Sequence, residues 1–466
     1  MSDRNKMLGE EKISSLLWKL SLPATIGMLV NALYNVVDTI FIGYGVGPLA
    51  IGGLTIAFPI QMLIMALAQM IGIGAASAIS RSLGAGDKEK ADYYAGNSYS
   101  LIIILSIIFV GIGVTFLDPL LRLFGASDTL LPYAREYMSV IFYGSIFFSF
   151  SVSSNNLIRA EGNAKVAMLT MLIGTIINII LDPIFIFGFD MGIRGAALAT
   201  ILSQFITFIY VIRYMYSGKS MLNLRLHHLT PKYEYIREII TVGAPAFVRQ
   251  VGGSFLAIIL NNSLVFFGGD LAIAAYGVIN RVILFIFMPM FGVVQGLQPI
   301  AGFNYGAKKF TRVNEVIRLS IKILVIYATI GSVIAFLFPE TIFRIFTNDA
   351  EVISIGASAL KIIVLGLPFV GIQIVSSSIY QSLGKAKPAM FLSLLRQIII
   401  FIPLVLILPH IGNLGIVGIW ITYPISDILS TAISGVMIKR EMKSFSLEDD
   451  LNSVNLDESI SLDKNK

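Results

Sequence analysis

The sequence predicts an all-α polytopic membrane protein of twelve transmembrane helices, arranged as two parallel six-helix repeats. Three observations carry that prediction. Of 466 residues, 56% are hydrophobic and only 13% charged, whereas a soluble domain carries about 25% charged residues. Apolar stretches long enough to cross a bilayer, about 20 residues each, recur between short polar segments. One half of the chain also repeats the other at a fixed offset.

Twelve apolar stretches fall at 14–42, 49–80, 94–118, 131–157, 166–187, 194–216, 236–267, 271–301, 314–338, 352–380, 388–409 and 415–438. No small-residue cleavage pattern follows a short apolar core in the first, so it reads as a retained span and not a signal peptide. Orientation follows from Lys and Arg, which bias their loops toward the cytoplasm. With the N-terminus inside, 25 of the 34 Lys and Arg residues occupy inner segments. Only Arg122, Arg194 and Arg344 are outside, and six more lie within spans. Both termini are therefore expected in the cytoplasm of a multi-pass plasma-membrane protein, and the net charge of +6 belongs to its inner loops.

The internal repeat has an offset of 222 residues: Pro23 falls on Pro245, Gly84-Ala85 on Gly306-Ala307, and Arg122 on Arg344. Gly162 falls on Gly384, Lys165 on Lys387, and Ala167-Met168 on Ala389-Met390. Chance matches do not keep one offset across six helices. Each unit holds an even number of crossings, so both enter the membrane in the same sense, as in secondary transporters whose substrate path lies between the halves. The expected organisation is a six-helix lobe at 1–217, a polar cytoplasmic linker at 218–235, a second lobe at 236–440 and a disordered acidic tail at 441–466. That tail shows no helical stripe in a polar, acid-rich composition.

Several function classes are excluded. Cys is absent and only three His occur, two of them adjacent at His227 and His228, so thiolate chemistry and an imidazole metal centre have no residues to build on. Neither HExxH nor GxSxG occurs. Gly218-Lys219-Ser220 imitates the end of a phosphate-binding loop, but residue 213 is Arg where that motif needs Gly, and no strand precedes it. Gly84-Ala85-Gly86 reads as a break between helices. The basic clusters are short loops without a stacking platform for bases. The chain is expected to be no enzyme and to bind neither nucleotide nor nucleic acid.

Four stretches then resemble a known family: LSLPATIGMLVNALYNVVDTIFIG in the first span, SRSLGAGD after the second, NIILDPIFIFG in the fifth and GAALATILSQ in the sixth. They resemble the multidrug and toxic compound extrusion (MATE) antiporters, most of all the DinF-like and MepA-like branch, over roughly residues 14–440. The resemblance implies two six-helix lobes forming a V-shaped central cavity. It implies export of amphipathic, often cationic small molecules in exchange for protons or sodium ions, by a monomer in the lipid bilayer with no cofactor. Carried over motif by motif, it makes Asp38, Asn178, Asp182 and Thr200 the coupling-ion residues and Pro23 the site of a bend. The coupling carboxylates that another branch carries in helices 7 and 8 have no counterpart here.

Charge inside a bilayer costs about 2.5–3.5 kcal/mol on insertion scales, so what is present usually faces a cavity and acts. Asp38 lies five residues before Gly43 and Asp182 six before Gly188, which sets both about 8–9 Å below the outer ends of their helices. Two carboxylates at one depth can hold a shared proton and titrate as one unit. With both ionised, their oxygens plus Asn178 and the Thr200 hydroxyl suit sodium, and the sequence leaves the two ions open. The proline at Pro23 removes a backbone hydrogen bond and permits a bend.

Met28, Tyr34, Met62, Met65, Met288, Met290 and Arg281 are candidates for the substrate cavity, although Met fills gaps in any core. Asp427 with Arg396 has the makings of a structural ion pair, while Arg135 and Lys322 lie near helix ends, where such side chains snorkel. A lipid-precursor flippase of the same superfamily is the alternative. Arg249, Arg281 and Arg396 would suit its anionic head group, and the matched set of Asp38, Asn178, Asp182 and Thr200 argues against it.

Overall fold

The computed structural model describes residues 3–463, and the side chains at 34–36, 39, 48, 413 and 449–463 lie outside the described set. Nearly every described residue is helical, with no strand among them. In chain order the helices of the first half are α1 (Asp3–Glu10), α2 (Ile13–Gly45), α3 (Pro48–Gly84), α4 (Lys88–Thr115), α5 (Leu117–Leu123), α6 (Leu131–Ala160), α7 (Ala164–Pro183) and α8 (Gly192–Tyr216). The second half holds α9 (Tyr233–Gly306), α10 (Phe310–Leu337), α11 (Pro339–Arg344), α12 (Ala350–Ile363), α13 (Leu367–Ser382), α14 (Ala386–Leu394), α15 (Ile402–Ile407) and α16 (Ile416–Asp463).

Ten helices are long and apolar enough to cross a membrane, and the pair α12 and α13, bent by 55° at their junction, makes an eleventh span. Within the 74 residues of α9, Gly269 has non-helical angles and joins two helices. Counting those two separately accounts for the twelve expected spans. The tenth is broken where the sequence reading has it straight. Pro368 lacks the N–H that would bond Val364, so the helix ends and restarts. Prolines also flank the two π-helical turns: Ile184–Gly188 directly follows Pro183, and Leu395–Phe401 ends just before Pro403, the usual sites of helix distortion.

By its contacts the chain forms two compact units, one of residues 19–251 and the other of residues 3–18 with those from 252 onward. These limits fall inside α2 and α9, away from the 218–235 segment that composition marks as the linker. Within the unit of 19–251, small residues let helices approach closely, the usual device where lipid competes with side chains for apolar contact. A Cβ at Gly144 would overlap Ile201, and one at Gly72 would stand 3.0 Å from the Ser153 backbone. The expected break at 84–86 is a turn with Gly86 at φ +79°, after which Asp87 accepts from the Lys90 amide at 3.0 Å and starts α4.

The polar 218–232 segment is an ordered strap on this same unit. Its amides at Met221, Asn223 and Lys232 donate to Glu161 (2.6 Å), Asp92 (2.7 Å) and Asn97 (2.7 Å). Ser220 of the false phosphate loop donates to Glu161 at 2.8 Å. His228 is buried and its Nδ1 accepts from the Arg225 amide at 3.2 Å. Burial, with His227 and Arg225 close by, holds its pKa below the usual histidine value.

In the other unit the chain end departs from expectation. Disorder is expected from Glu441 onward, yet α16 runs on, Glu441 pairs with Lys385, and the Asn314 amide donates to the Met442 carbonyl at 3.1 Å. Phe445 is buried and stacks on Phe310 with centroids 5.5 Å apart. Ile438, Glu441, Met442 and Phe445 repeat at three- and four-residue spacing, a stripe too short to stand out from the acidic residues after it. The expected disorder is corrected as far as residue 448, and the side chains beyond lie outside the described residues.

Two outcomes follow from this packing. Phe445→Ala should lower stability by about 3 kcal/mol, seen as an earlier thermal transition in detergent. Because folded His228 is held below the ordinary value of about 6.5, the folded strap loses stability as pH falls through that value and keeps it above. Proteolysis within 218–232 should therefore accelerate between about pH 7.5 and about pH 5.5, and His228→Gln should flatten that response.

Candidate functional site in the unit of residues 19–251

The fifth span sets the geometry of the site. In α7, Asn178 and Asp182 are one turn apart and share a face. Pro183 closes the helix, and the π-helical turn 184–188 carries the chain out of it. The Asn178 amide group reaches Asp182 Oδ1 and Thr200 Oγ1 of α8, each at 3.4 Å. Thr200 spends its own proton on the Ala196 carbonyl one turn earlier, at 3.0 Å, so its oxygen faces Asn178 as an acceptor.

Asp38 of α2 completes the group. Its carboxyl lies beside that of Asp182, and two carboxyls so close inside a span hold a shared proton more readily than two negative charges. Asp182 is fully buried and Asp38 half-buried, so Asp38 stands on the open side of the pair. Its Oδ1 is buried with no hydrogen-bond partner among the described residues. Four oxygen-bearing side chains from three helices thus converge, and they are the four that the sequence motifs single out.

Two further residues belong to the site and escaped the sequence reading. Tyr137 of α6 is buried, and its hydroxyl accepts from Gln61 Nε2 of α3 at 3.0 Å. The same hydroxyl lies close to Thr200 and to the two carboxyls. The available signal was depth: Tyr137 lies six residues into α6, about 9 Å from its outer end, level with Asp38.

The other candidates are placed as follows. Pro23 is inside α2 and buried. Met28, Met62 and Met65 are half-buried in the unit of 19–251, and Met62 Sδ accepts from Gln250 Nε2 at 3.2 Å. The Tyr34 side chain lies outside the described residues. On the other unit, Met288 is half-buried and Arg281 exposed, whereas Met290 is buried in the core, which corrects its place among the cavity candidates. Arg396 donates through Nε to Asp427 at 2.6 Å, the ion pair expected of them.

Twelve spans with polar side chains converging inside them form a membrane-embedded helical bundle with a polar site. A sequence model of the MatE family matches residues 23–184 and again 245–407, and the chain belongs to that family. The two matched segments begin 222 residues apart, as the repeat does. The chain is 29% identical over 399 residues to the multidrug export protein MepA of Staphylococcus saprophyticus, covering 86% of this chain and 87% of that one. MepA of Staphylococcus aureus is 28% identical over 397 residues, covering 85% and 88%.

Among solved structures, a ligand complex of the MATE multidrug transporter DinF-BH is 46% identical with a TM-score of 0.87, covering 94% of this chain and 98% of that one. A MATE transporter in complex with MaD3S superposes with a TM-score of 0.90 at 28% identity, covering 96% and 99%. The protein is a multi-pass membrane transporter of the MATE family and not an enzyme.

Tyr137→Phe keeps the ring and removes the hydroxyl, leaving the Gln61 amide short of its acceptor. Thermal unfolding should show a loss of about 1 kcal/mol, while Gln61→Leu/Tyr137→Phe together should cost less than the sum of the single changes.

Proposed function

We propose that the protein is a secondary active antiporter that exports amphipathic, cationic drugs or toxic compounds in exchange for protons or sodium ions, and that Asp38, Asn178, Asp182 and Thr200 hold the coupling ion. One observation carries this reading: two carboxyl groups in contact inside a span, beside an amide and a hydroxyl. With a proton between them the pair bears one negative charge. Without it, two like charges face each other in a medium that solvates neither. A sodium ion would relieve the same repulsion, and the two carboxylates, the Asn178 amide oxygen and the Thr200 hydroxyl are the hard donors it takes.

Exchange follows if ion and drug favour different conformers. The ion arrives from outside, neutralises the Asp38/Asp182 pair and lets α2 repack, with the bend at Pro23 taking up the change. A cationic drug is attracted by the charge that the ion's departure restores. Met28, Tyr34, Met62, Met65, Met288 and Arg281 are proposed to line its path. The excess of Lys and Arg in alternate loops supports both termini in the cytoplasm. The drug-export names of the MepA relatives and the multidrug transporter name of DinF-BH support the substrate class. In this reading a single chain is the working unit, organised as two lobes of six spans.

The exposed Arg281 keeps a second reading in view, a flippase for an anionic lipid precursor. The pairing of Arg396 with Asp427 removes one of the three cations that would serve it.

The test is efflux of a fluorescent cation from liposomes holding the purified protein, with proton and sodium gradients imposed separately. One of the two gradients should drive efflux, and Asp38→Asn and Asp182→Asn should abolish it while the proteins remain folded. Wild-type rates in both variants would exclude the site, and lipid scrambling without a gradient would exclude the export reading.

A further inference from the structure

Although α9 opens the second sequence repeat, its first turns belong to the compact unit of residues 19–251, and only from Gly252 onward does it pack with the other unit. Two features hold that inner stretch. The first is a backbone seam between α9 and α3. A Cβ at Gly74 would overlap the carbonyl oxygen of Ile239, and a Cβ at Gly243 that of Met70. The helices touch through their main chains at these two levels.

The second is a polar latch at the strap end of the seam. Glu238 accepts from Arg81 Nη2 of α3 at 2.8 Å through Oε1, and from the Tyr94 hydroxyl of α4 through Oε2. Tyr235, one turn earlier, meets Tyr94 edge-on at 4.9 Å and stacks on Tyr93 at 5.3 Å. The Arg81 and Glu238 side chains keep 20% and 31% exposure, so water can replace their bond when it parts.

The side chains that fasten this close approach are a partly hydrated ion pair and a tyrosine, and the helix that carries Glu238 passes to the other unit at Gly252 and holds Pro245, which removes an internal hydrogen bond. We propose that this seam is the gate on the strap side of the membrane: the inner turns of α9 part from α3 and α4 when the drug path opens there, and the contact of Glu238 with Arg81 and Tyr94 sets how often they do. The proposal rests on the reading of the protein as an exporter, because a path that only ever opened to one side would need no such gate.

The protein has no Cys, so Ser77→Cys puts a single thiol on α3 between Gly74 and Arg81, at a position that is buried with the seam closed. Its labelling by a water-soluble maleimide is followed in the full-length protein in nanodiscs, without drug or gradient. Adding Glu238→Gln should raise the labelling rate about fivefold, and the exchange Arg81→Glu with Glu238→Arg should bring it back toward the parent. If the Glu238 variant fails to fold, Tyr94→Phe, which keeps the ring, should still raise the rate. Equal rates in the parent and in the folded latch variants, or no labelling in any of them, would overturn the gate. Because no drug takes part, that failure would leave the export reading standing.

Discussion

Two carboxyl groups cannot sit side by side in hydrocarbon without something between them, and the unit of residues 19–251 is organised around that constraint. Asp182 is at the end of α7, where Pro183 and a π-helical turn lead the backbone away. Asn178 and Thr200 bracket it from its own helix and from α8. Beside them, Gln61 of α3 donates to the Tyr137 hydroxyl of α6. Polar groups inside the span thus bond one another, as they must where water is scarce. The departure is Asp38, whose buried Oδ1 has no partner among the described residues. In the proposed mechanism, that unfilled demand is what a proton or sodium ion meets.

The remaining architecture makes such a site movable without exposing it. Helices in lipid gain little from apolar contact with one another, so close approach depends on small residues, seen at Gly72, Gly144 and the seam of Gly74 with Gly243. Distortions gather where polar chemistry is placed. Arg396 lies in the π-helical turn 395–401, and its partner Asp427 packs against Gly366 at the break between α12 and α13. Arg396 and Asp427 neutralise each other inside the second unit, in contrast to the two acids of the first.

Much of this was legible in the residues, for physical reasons. Spans announce themselves because hydrocarbon tolerates few charges, and the 222-residue offset survives because the same turns recur at Gly84 and Gly306, and at Gly162 and Gly384. Asp38, Asn178, Asp182 and Thr200 were recognisable from motifs and depth. Tyr137 and Gln61 were not, since a lone Tyr or Gln in an apolar span carries no charge to mark it. Composition also says nothing of which unit a segment joins. The strap at 218–232 looks like a linker because its polar atoms bond through main-chain amides to Glu161, Asp92 and Asn97, partners remote in sequence. At the chain end, acidic residues hid the short stripe that ends in Phe445.

The claim at the centre of this account is that drug and coupling ion compete for one negative charge shared by Asp38 and Asp182. It is tested most directly by mixing the purified protein with a cationic drug in weakly buffered detergent solution and recording proton release with a pH indicator, then repeating the titration with sodium present and a sodium electrode in place of the indicator. The account predicts that drug binding expels one of the two ions from the wild-type protein, and that Asp38→Asn abolishes the release while the protein stays folded. Drug binding that releases neither ion, or release that persists undiminished in Asp38→Asn, would contradict it.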